Sequence, residues 1–304
     1  MDKETLLSTS GLSMDRLANF CRIAEFGSLS KAAGGDPGKQ SLYSRQMREL
    51  EEFFGVELKR RQGNGFAITE AGRRLAQLTR AHLAGLEDFR RDAKQMPREL
   101  TMAAGNSVLE WLILPRVAPL EQALPNTSLR FVSERSGAIV TRLIDMTIDI
   151  GVLRKDALRS PLRSKRLAAF GYSLFIPVRL AKGILPTNLQ SRIAKIPIAT
   201  SMGGQFREML MNAAAQAKWR LNVAVSCSSF TQAACAMRAG ACAAVLPDIA
   251  APIFAGGHVV QIVLPFLRRK QRQLTVAWNP RLAEVRPSLL RALDATYSLL
   301  GQAH

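Results

Sequence analysis

Four side chains at helical spacing, Ser41, Ser44, Arg45 and Arg48, carry the chemistry most easily read from this sequence. Hydroxyls and forked guanidinium groups of this kind reach base edges and phosphate oxygens. The other side of the same stretch is apolar. Tyr43, Met47, Leu50 and Phe54 recur at spacings of four, three and four, which is one stripe of an α-helix. A helix packed by one face and offering such groups on the other is what a helix-turn-helix places in a DNA major groove.

The flanking segments contain the elements needed to position that helix. Met14 begins an amphipathic helix with Leu17, Phe20, Ile23 and Ala24 inward, ending near Gly27. Ser28 is a predicted N-cap for a short second helix through Ala33. Gly34, Gly35, Pro37 and Gly38 read as the break before the third helix. Arg60 to Thr69 is a polar, glycine-containing loop between strand-like residues, a candidate β wing. From Thr69 a long helix is predicted up to Pro97, with Leu75, Leu78, His82, Leu86, Phe89, Ala93 and Met96 close to a heptad stripe. Such a stripe suits pairing with a second copy; burial against its own domain is the alternative. His82 is expected to be packed on the stripe rather than to ligate anything. Residues 1–13 read as a polar tail.

From Glu99 the texture becomes alternating strands and helices. Strands are predicted at Leu100–Ala104, Leu129–Ser133, Ile148–Leu153, Tyr172–Pro177, Pro197–Thr200 and Val223–Ser226. Helices are predicted at Val108–Ala123, broken by Pro115 and Pro119, from about Ala138, at Phe206–Lys218 and at Thr231–Ala239. This alternation argues for an α/β domain with mostly parallel sheets, in which ligands bind at the carboxyl ends of strands. The stretch is long for one sheet, and two lobes with a cleft between them accommodate it.

The whole chain has 304 residues and is 47% hydrophobic, which is too long for one ordinary domain and enough for a sizeable core. Its formal net charge is +18, with a pI near 10.7, a balance that favours polyanions. Residues 1–97 hold 16 basic and 13 acidic groups, whereas the rest holds 26 and 11. The case for DNA therefore rests on where the N-terminal cations sit. The downstream excess could hold DNA non-specifically, attract an anionic ligand, or be a solvated arginine-rich surface.

The 4 cysteines, Cys21, Cys227, Cys235 and Cys242, lack metal-type spacing, and the 3 histidines are scattered. This fits a reducing cytoplasm and gives no ground for a metal or a cofactor. The N-terminus has no signal-peptide pattern, and the apolar run Gly240–Gly257 is broken by Pro247, Asp248 and Pro252, so no membrane span is predicted. There is no Ser–His–Asp or Cys–His pattern and no phosphate-loop glycine motif, which argues against an enzyme.

From Met14 onward the chain closely resembles the LysR-type transcriptional regulators. The resemblance is carried by Phe20, Gly27-Ser28-Leu29-Ser30, Ala32-Ala33, Gln40, Ser44-Arg45-Gln46, Leu50-Glu51, Gly55, Leu58, Arg61 and Thr69-Glu70-Ala71-Gly72. Weaker echoes are Leu114 to Phe131, Ile148 to Val152 and Ala236 to Pro247. Asp36 and Gly38 stand where the family usually has Leu and Val, and Lys59 where it usually has Phe. These swaps make the turn more polar and bear on fine DNA specificity.

The resemblance implies an α+β multidomain chain: a winged helix-turn-helix over 14–72, a linker helix over 73–97, and a periplasmic-binding-protein-like, two-lobed α/β effector-binding domain over 98–304. Lobe I would take about 98–167 and 267–304, and lobe II about 168–266. It further implies a homodimer assembled into a homotetramer, a small-molecule effector in the cleft, and RNA polymerase as a further candidate partner. Gln40, Ser41, Ser44 and Arg45 would open the recognition helix, with Arg48 one turn on. Lys39, Arg60 and Arg61 would hold the DNA backbone. Candidate effector-binding residues, each at a strand end before a helix start, are Asn106, Ser107, Ser136, Thr200, Ser201 and Ser228. Free N–H groups there favour an anion. Some family members sense oxidants with thiols, but Cys235 and Cys242 sit among Ala and Val, and no basic residue flanks Cys227. The competing readings are a ligand-independent DNA-binding protein and a two-lobed small-molecule-binding protein or enzyme.

Overall fold

The computed structural model describes residues 12–63, 65–201 and 206–301, so the tail expected over 1–13 lies, up to residue 11, outside the described residues. Three helices come first: α1 (Met14–Phe26), α2 (Leu29–Ala33) and α3 (Pro37–Phe54). Each is capped at both ends by residue type. Ser13, Ser28 and Asp36 accept first-turn backbone N–H groups, and Gly27, Gly34 and Gly55 close the helices in the left-handed region. The break expected over Gly34–Gly38 is shorter than that. Pro37 and Gly38 belong to α3, because Asp36 caps the Gly38 and Lys39 amides and proline at the first position already has helical φ.

Phe20, Ile23, Ala32, Met47, Leu50, Leu58 and Ala76 form the core of this segment. Phe54 does not join it as its stripe position predicts. It stays exposed, edge-on to Phe53, because α3 ends there. A two-stranded wing follows, β1 (Lys59–Gln62) antiparallel to β2 (Gly65–Ile68). It is tied to α3 by Glu51, whose carboxylate accepts the Leu58 and Lys59 amides at 2.9 and 3.2 Å.

Thr69 caps the next helix, α4 (Glu70–Ala93), and its hydroxyl donates to the Glu57 carbonyl at 2.7 Å. Gly72 is pressed onto the wing so closely that a Cβ there would collide with the Leu58 carbonyl and the Ile68 side chain. Gly72→Ala is therefore expected to cost about 1–3 kcal/mol, as overpacking does, with the wing displaced from α4. A melting temperature equal to wild type would show that this junction yields freely.

α4 has two faces of different fate. Ala76, Thr79, Ala81 and Asp88 are buried against α1 and the helix at Pro280–Val285. Of the predicted pairing stripe, Leu75 packs against the N-terminal core, whereas Leu78, Leu86 and Phe89 lie on the other side, exposed by 51%, 55% and 73%. His82 is exposed rather than packed, a correction that follows from its place on this uncovered side. The helix stops at Ala93, and Gln95 turns through a positive φ, so Met96 lies beyond it.

The C-terminal part holds two five-stranded sheets. One has the order β4-β3-β5-β12-β6 and the other β11-β7-β10-β8-β9. In the first, β3 (Arg98–Ala104), β4 (Thr127–Ser133) and β5 (Ile150–Arg154) run parallel, while β12 (Arg272–Trp278) is antiparallel to β5 and to β6 (Arg163–Phe170). In the second, β8 (Pro197–Ser201), β9 (Asn222–Cys227) and β10 (Ala243–Pro247) run parallel. There β7 (Tyr172–Pro177) is antiparallel to β10 and to β11 (Val259–Ile262). The expectation of mostly parallel sheets is thus corrected to an even mixture. Its cause is the chain crossing between sheets twice, from β6 to β7 through Gly171 and from β11 to β12, each time bringing in a strand of reversed direction.

Helices α5 (Val117–Ala123) and α6 (Ser136–Ile144) flank the first sheet, and α7 (Phe206–Gln216) and α8 (Phe230–Arg238) the second. The predicted break in Val108–Ala123 is a π turn at Leu109–Ile113 and a 3-10 turn at Leu114–Arg116. Pro119 is accommodated in the first turn of α5, where its missing N–H has no partner to lose.

A buried ionic cluster fastens α4 to the first sheet. Arg286 donates to both carboxylate oxygens of Asp88 at 2.9 Å, to Asp149, and to the Glu99 carbonyl at 2.9 Å. Ser288 adds a bond to Asp88 at 2.8 Å, and Asp149 accepts the Thr101 amide at 2.7 Å. Burial pushes the Asp149 carboxyl up from its ordinary range, against the opposing pull of Arg286 and of that amide. Nearer the other end of α4, Arg80 donates to the Asp145 carbonyl and to the Cys21 carbonyl, joining lobe, linker and α1.

Candidate nucleic-acid interface and ligand cleft

The residues predicted to meet DNA gather on one surface. Lys39, Gln40, Ser41, Arg45 and Arg48 are exposed on α3, Ser44 is half-buried, and Arg60 and Arg61 are exposed on β1. Tyr43, Met47 and Leu50 are buried beneath them. Glu51 faces the wing, so it does not neutralise this surface. Glu49 does lie near Arg45, at 3.7 Å, but it is held more closely by Arg16 at 2.8 Å. An exposed pair of that kind contributes about 0–1 kcal/mol, less than a bidentate base contact supplies, so Arg45 can exchange it for DNA. Gln46 is turned the other way, accepting from Asn19 on α1 at 2.9 Å. Together with the burial of Tyr43, Met47 and Leu50, this bond sets the roll of α3 and hence the outward direction of Ser41, Arg45 and Arg48.

A cleft of about 700 Å³ lies between the two sheets. It is of the size that holds one small molecule. Among the predicted effector residues, Asn106, Ser107, Ser136, Ser201 and Ser228 line it. Thr200 does not: it is 0% exposed, and its hydroxyl has no hydrogen-bond partner. Strand alternation explains the difference, because successive residues of β8 point to opposite faces.

Asn106 bridges the lobes. Its amide donates to the Thr231 hydroxyl at 3.1 Å and accepts from the Ser133 hydroxyl at 3.0 Å. The Ser136 hydroxyl accepts the Arg154 amide at 3.3 Å, and the Ser228 amide donates to Gln232 at 2.9 Å.

Several lining residues carry no local sequence signal. One wall is aromatic, with Tyr172 to Phe206 and Phe206 to Phe230 at ring separations of 4.6 and 4.7 Å. The facing cations are Arg135, Arg154 and Arg272. Arg154 and Arg272 share Asp156 at 3.4 and 3.5 Å, and Glu134 is engaged by Arg142 at 2.6 Å, so positive charge prevails. Burial raises the Tyr172 hydroxyl above its ordinary range, with Arg272 pulling the other way. These groups meet only through the two crossings between sheets, which no short spacing announces.

The four cysteines are unpaired. Burial pushes the Cys21 thiol to about 11 and raises Cys227 and Cys242 as well, the direction away from a reactive thiolate. Among the described residues no group of His, Cys, Asp and Glu is placed to hold a metal ion, and no helix is long and apolar enough to cross a membrane.

The fold is a winged helix-turn-helix joined through a long helix to a two-lobed α/β domain with a cationic, aromatic-walled cleft. Residues 14–73 match the model of bacterial regulatory helix-turn-helix proteins of the lysR family, and residues 93–293 match the LysR substrate binding domain. The chain belongs to the LysR family. It is 26% identical over 218 residues to the HTH-type transcriptional regulator BbuR of Bordetella bronchiseptica, covering 67% of this chain and 65% of that one. The chain spans less than two thirds of the length of the first curated relatives it matches. A full-length OxyR of Pseudomonas aeruginosa shares the fold with a TM-score of 0.63 and 16% identity, over 93% of this chain and 94% of that one. Full-length CbnR complexed with its target DNA does so with a TM-score of 0.54 and 20% identity, over 92% and 100%.

Proposed function

We propose that this chain is a sequence-specific DNA-binding transcription regulator whose output is set by a small anionic effector in the interlobe cleft. The observation that carries this reading is the outward polar face of α3 beside the cationic wing, with an apolar face packed beneath. Residues 14–72 would read DNA, 73–97 would pair subunits, and 98–304 would bind the effector, divided near residues 168 and 267. On α3, Gln40, Ser41, Ser44, Arg45 and Arg48 reach bases or nearby phosphates, while Lys39, Arg60 and Arg61 hold the backbone. Similarity to a protein solved on its target DNA supports a duplex as the partner. Such a protein works inside the cell, and the reading requires no catalysis and no cofactor.

In the cleft, Asn106, Ser107, Ser136, Ser201 and Ser228 offer hydrogen bonds, the arginines offer charge, and the aromatic wall accepts an apolar body. The N-termini of α6 and α8 add partial positive charge. An effector bound more tightly by one lobe arrangement shifts the chain toward it, and α4 transmits the change because Arg286 fastens it to the first sheet.

The uncovered stripe on α4 supports a homodimer, and pairs of dimers would form the tetramer that contacts RNA polymerase. Leu86→Glu with Phe89→Glu is expected to convert the oligomer to monomers in sedimentation velocity while leaving the melting curve of the protomer little changed. An unchanged sedimentation coefficient would place the pairing surface elsewhere. The functional reading itself is tested by mapping bound chromosomal sites and repeating the mapping with small carboxylates drawn from the products of neighbouring genes. Binding without sequence preference would refute it; binding with preference but no response to any ligand would favour a ligand-independent DNA binder.

A further inference from the structure

The large positive charge of this chain is concentrated where neither the wing nor the cleft accounts for it. Residues 171–270, which carry the second sheet, hold 11 Lys and Arg against 2 Asp and Glu. Every ion pair within 4.0 Å among the described residues lies outside that stretch. One of its two acids, Asp248, is occupied by neutral donors, Ser173 at 2.6 Å and Gln261 at 3.3 Å. The guanidinium groups of Arg179, Arg192 and Arg207 bond to carbonyls or a hydroxyl, which leaves their charge uncompensated.

Six of these cations come together at one corner. Lys218 and Arg220 lie in the turn between α7 and β9, and Trp219 between them meets Phe266 edge-on at 5.4 Å. That contact places the exposed run Arg268, Arg269 and Lys270 beside them. The short helix Leu189–Ile193 joins through Gln190, which donates to the Lys218 carbonyl at 2.7 Å, and it brings exposed Lys195. The corner sits at the amino ends of β8 and β9, whereas Ser201 and Ser228, in the cleft, lie at their carboxyl ends. These cations are therefore at the far end of the lobe from the ligand cleft and do not serve it.

We propose that this distal corner of the second lobe is a second, sequence-independent contact for the phosphate backbone of duplex DNA. The proposal rests on the reading of α3 as the sequence reader. Residues 1–97 have an excess of only three positive charges, whereas the rest of the chain has an excess of fifteen, which adds long-range attraction for a polyanion. A duplex already held by α3 presents its flanks at high effective concentration, where individually weak phosphate contacts add to binding. The N-terminal segment packs on the first lobe, so the flank must run past the half-site or lie against a neighbouring subunit to reach the corner.

The test uses the full chain and a variant carrying Lys218→Gln, Arg220→Gln, Arg269→Gln and Lys270→Gln, all at exposed positions. Binding to a mixed-sequence duplex several helical turns long is measured across a range of potassium chloride. Each phosphate contact contributes about 0.9 to the slope of log affinity against log salt, so the variant is expected to lose about 2–4 from that slope and to bind at least about tenfold more weakly at low salt. Arg220→Lys with Arg269→Lys is expected to keep the wild-type slope. A quadruple variant with an unchanged slope overturns the proposal. So does a variant that loses affinity only for phosphatidylserine vesicles, which would make lipid the partner. If the quadruple variant melts early, the two pairs Lys218→Gln/Arg220→Gln and Arg269→Gln/Lys270→Gln decide the matter separately, each expected to remove about half the slope change. Arg45→Ala on a duplex carrying a selected site separates the two readings. Its failure to weaken binding counts against α3, whereas its success beside an unchanged corner variant counts against the corner alone.

Discussion

Replacing Arg286 with methionine is expected to lower the unfolding free energy by about 3–5 kcal/mol, the range seen when one member of a buried ion pair is removed. The reason is what remains. Asp88 and Asp149 would face each other across a buried site, with no cation and with the Glu99 carbonyl left without its donor. Asp88 belongs to α4 and Asp149 immediately precedes β5, so the loss falls on the junction between linker and lobe. The replacement Asp88→Asn with Asp149→Asn should recover part of the stability of the methionine variant, because neutral amides no longer repel. Urea denaturation of the three proteins checks this. A methionine variant as stable as wild type would mean that the cluster is not what fastens α4.

The second large effect is on DNA. Arg45→Ala is expected to weaken specific site binding by about 1–3 kcal/mol, the worth of a good bidentate base contact, and Ser44→Ala by less, with oligomeric state unchanged. Arg45 is exposed and Ser44 half-buried on α3, and the core residues Tyr43 and Met47 that hold the helix are untouched. Fluorescence anisotropy on a selected duplex checks affinity, and sedimentation checks assembly. Equal loss on any sequence would assign these side chains to phosphate rather than bases.

Much of the reading head was legible because its structure is local. The period of Tyr43, Met47 and Leu50, the N-cap Ser28, and the glycine-containing wing are all decided within a few residues. The failures there were at ends: Pro37 extends α3 backward, and Phe54 falls off the core where Gly55 stops the helix.

In the second domain the strands that sequence periodicity missed are those that make long-range pairs. β6 opens with Arg163, Ser164, Lys165 and Arg166, all exposed, and shows no alternation by which to know it. Its partner β12 comes more than a hundred residues later. The same separation hid Arg286 from Asp88 and Arg272 from Tyr172. Cleft residues chosen at strand ends mostly reached the cleft, because strand ends converge there. Thr200 did not, since predicting it required the register of β8 and not only its position.

The central claim is that Gln40 to Arg48 read a DNA sequence. The most direct measurement is selection from a pool of randomised duplexes by the full chain, repeated with Arg45→Ala and Arg48→Ala. The expected result is a two-fold symmetric motif for the wild type, with named base positions relaxed in each variant. No enriched motif, or the same motif from all three proteins, would contradict it.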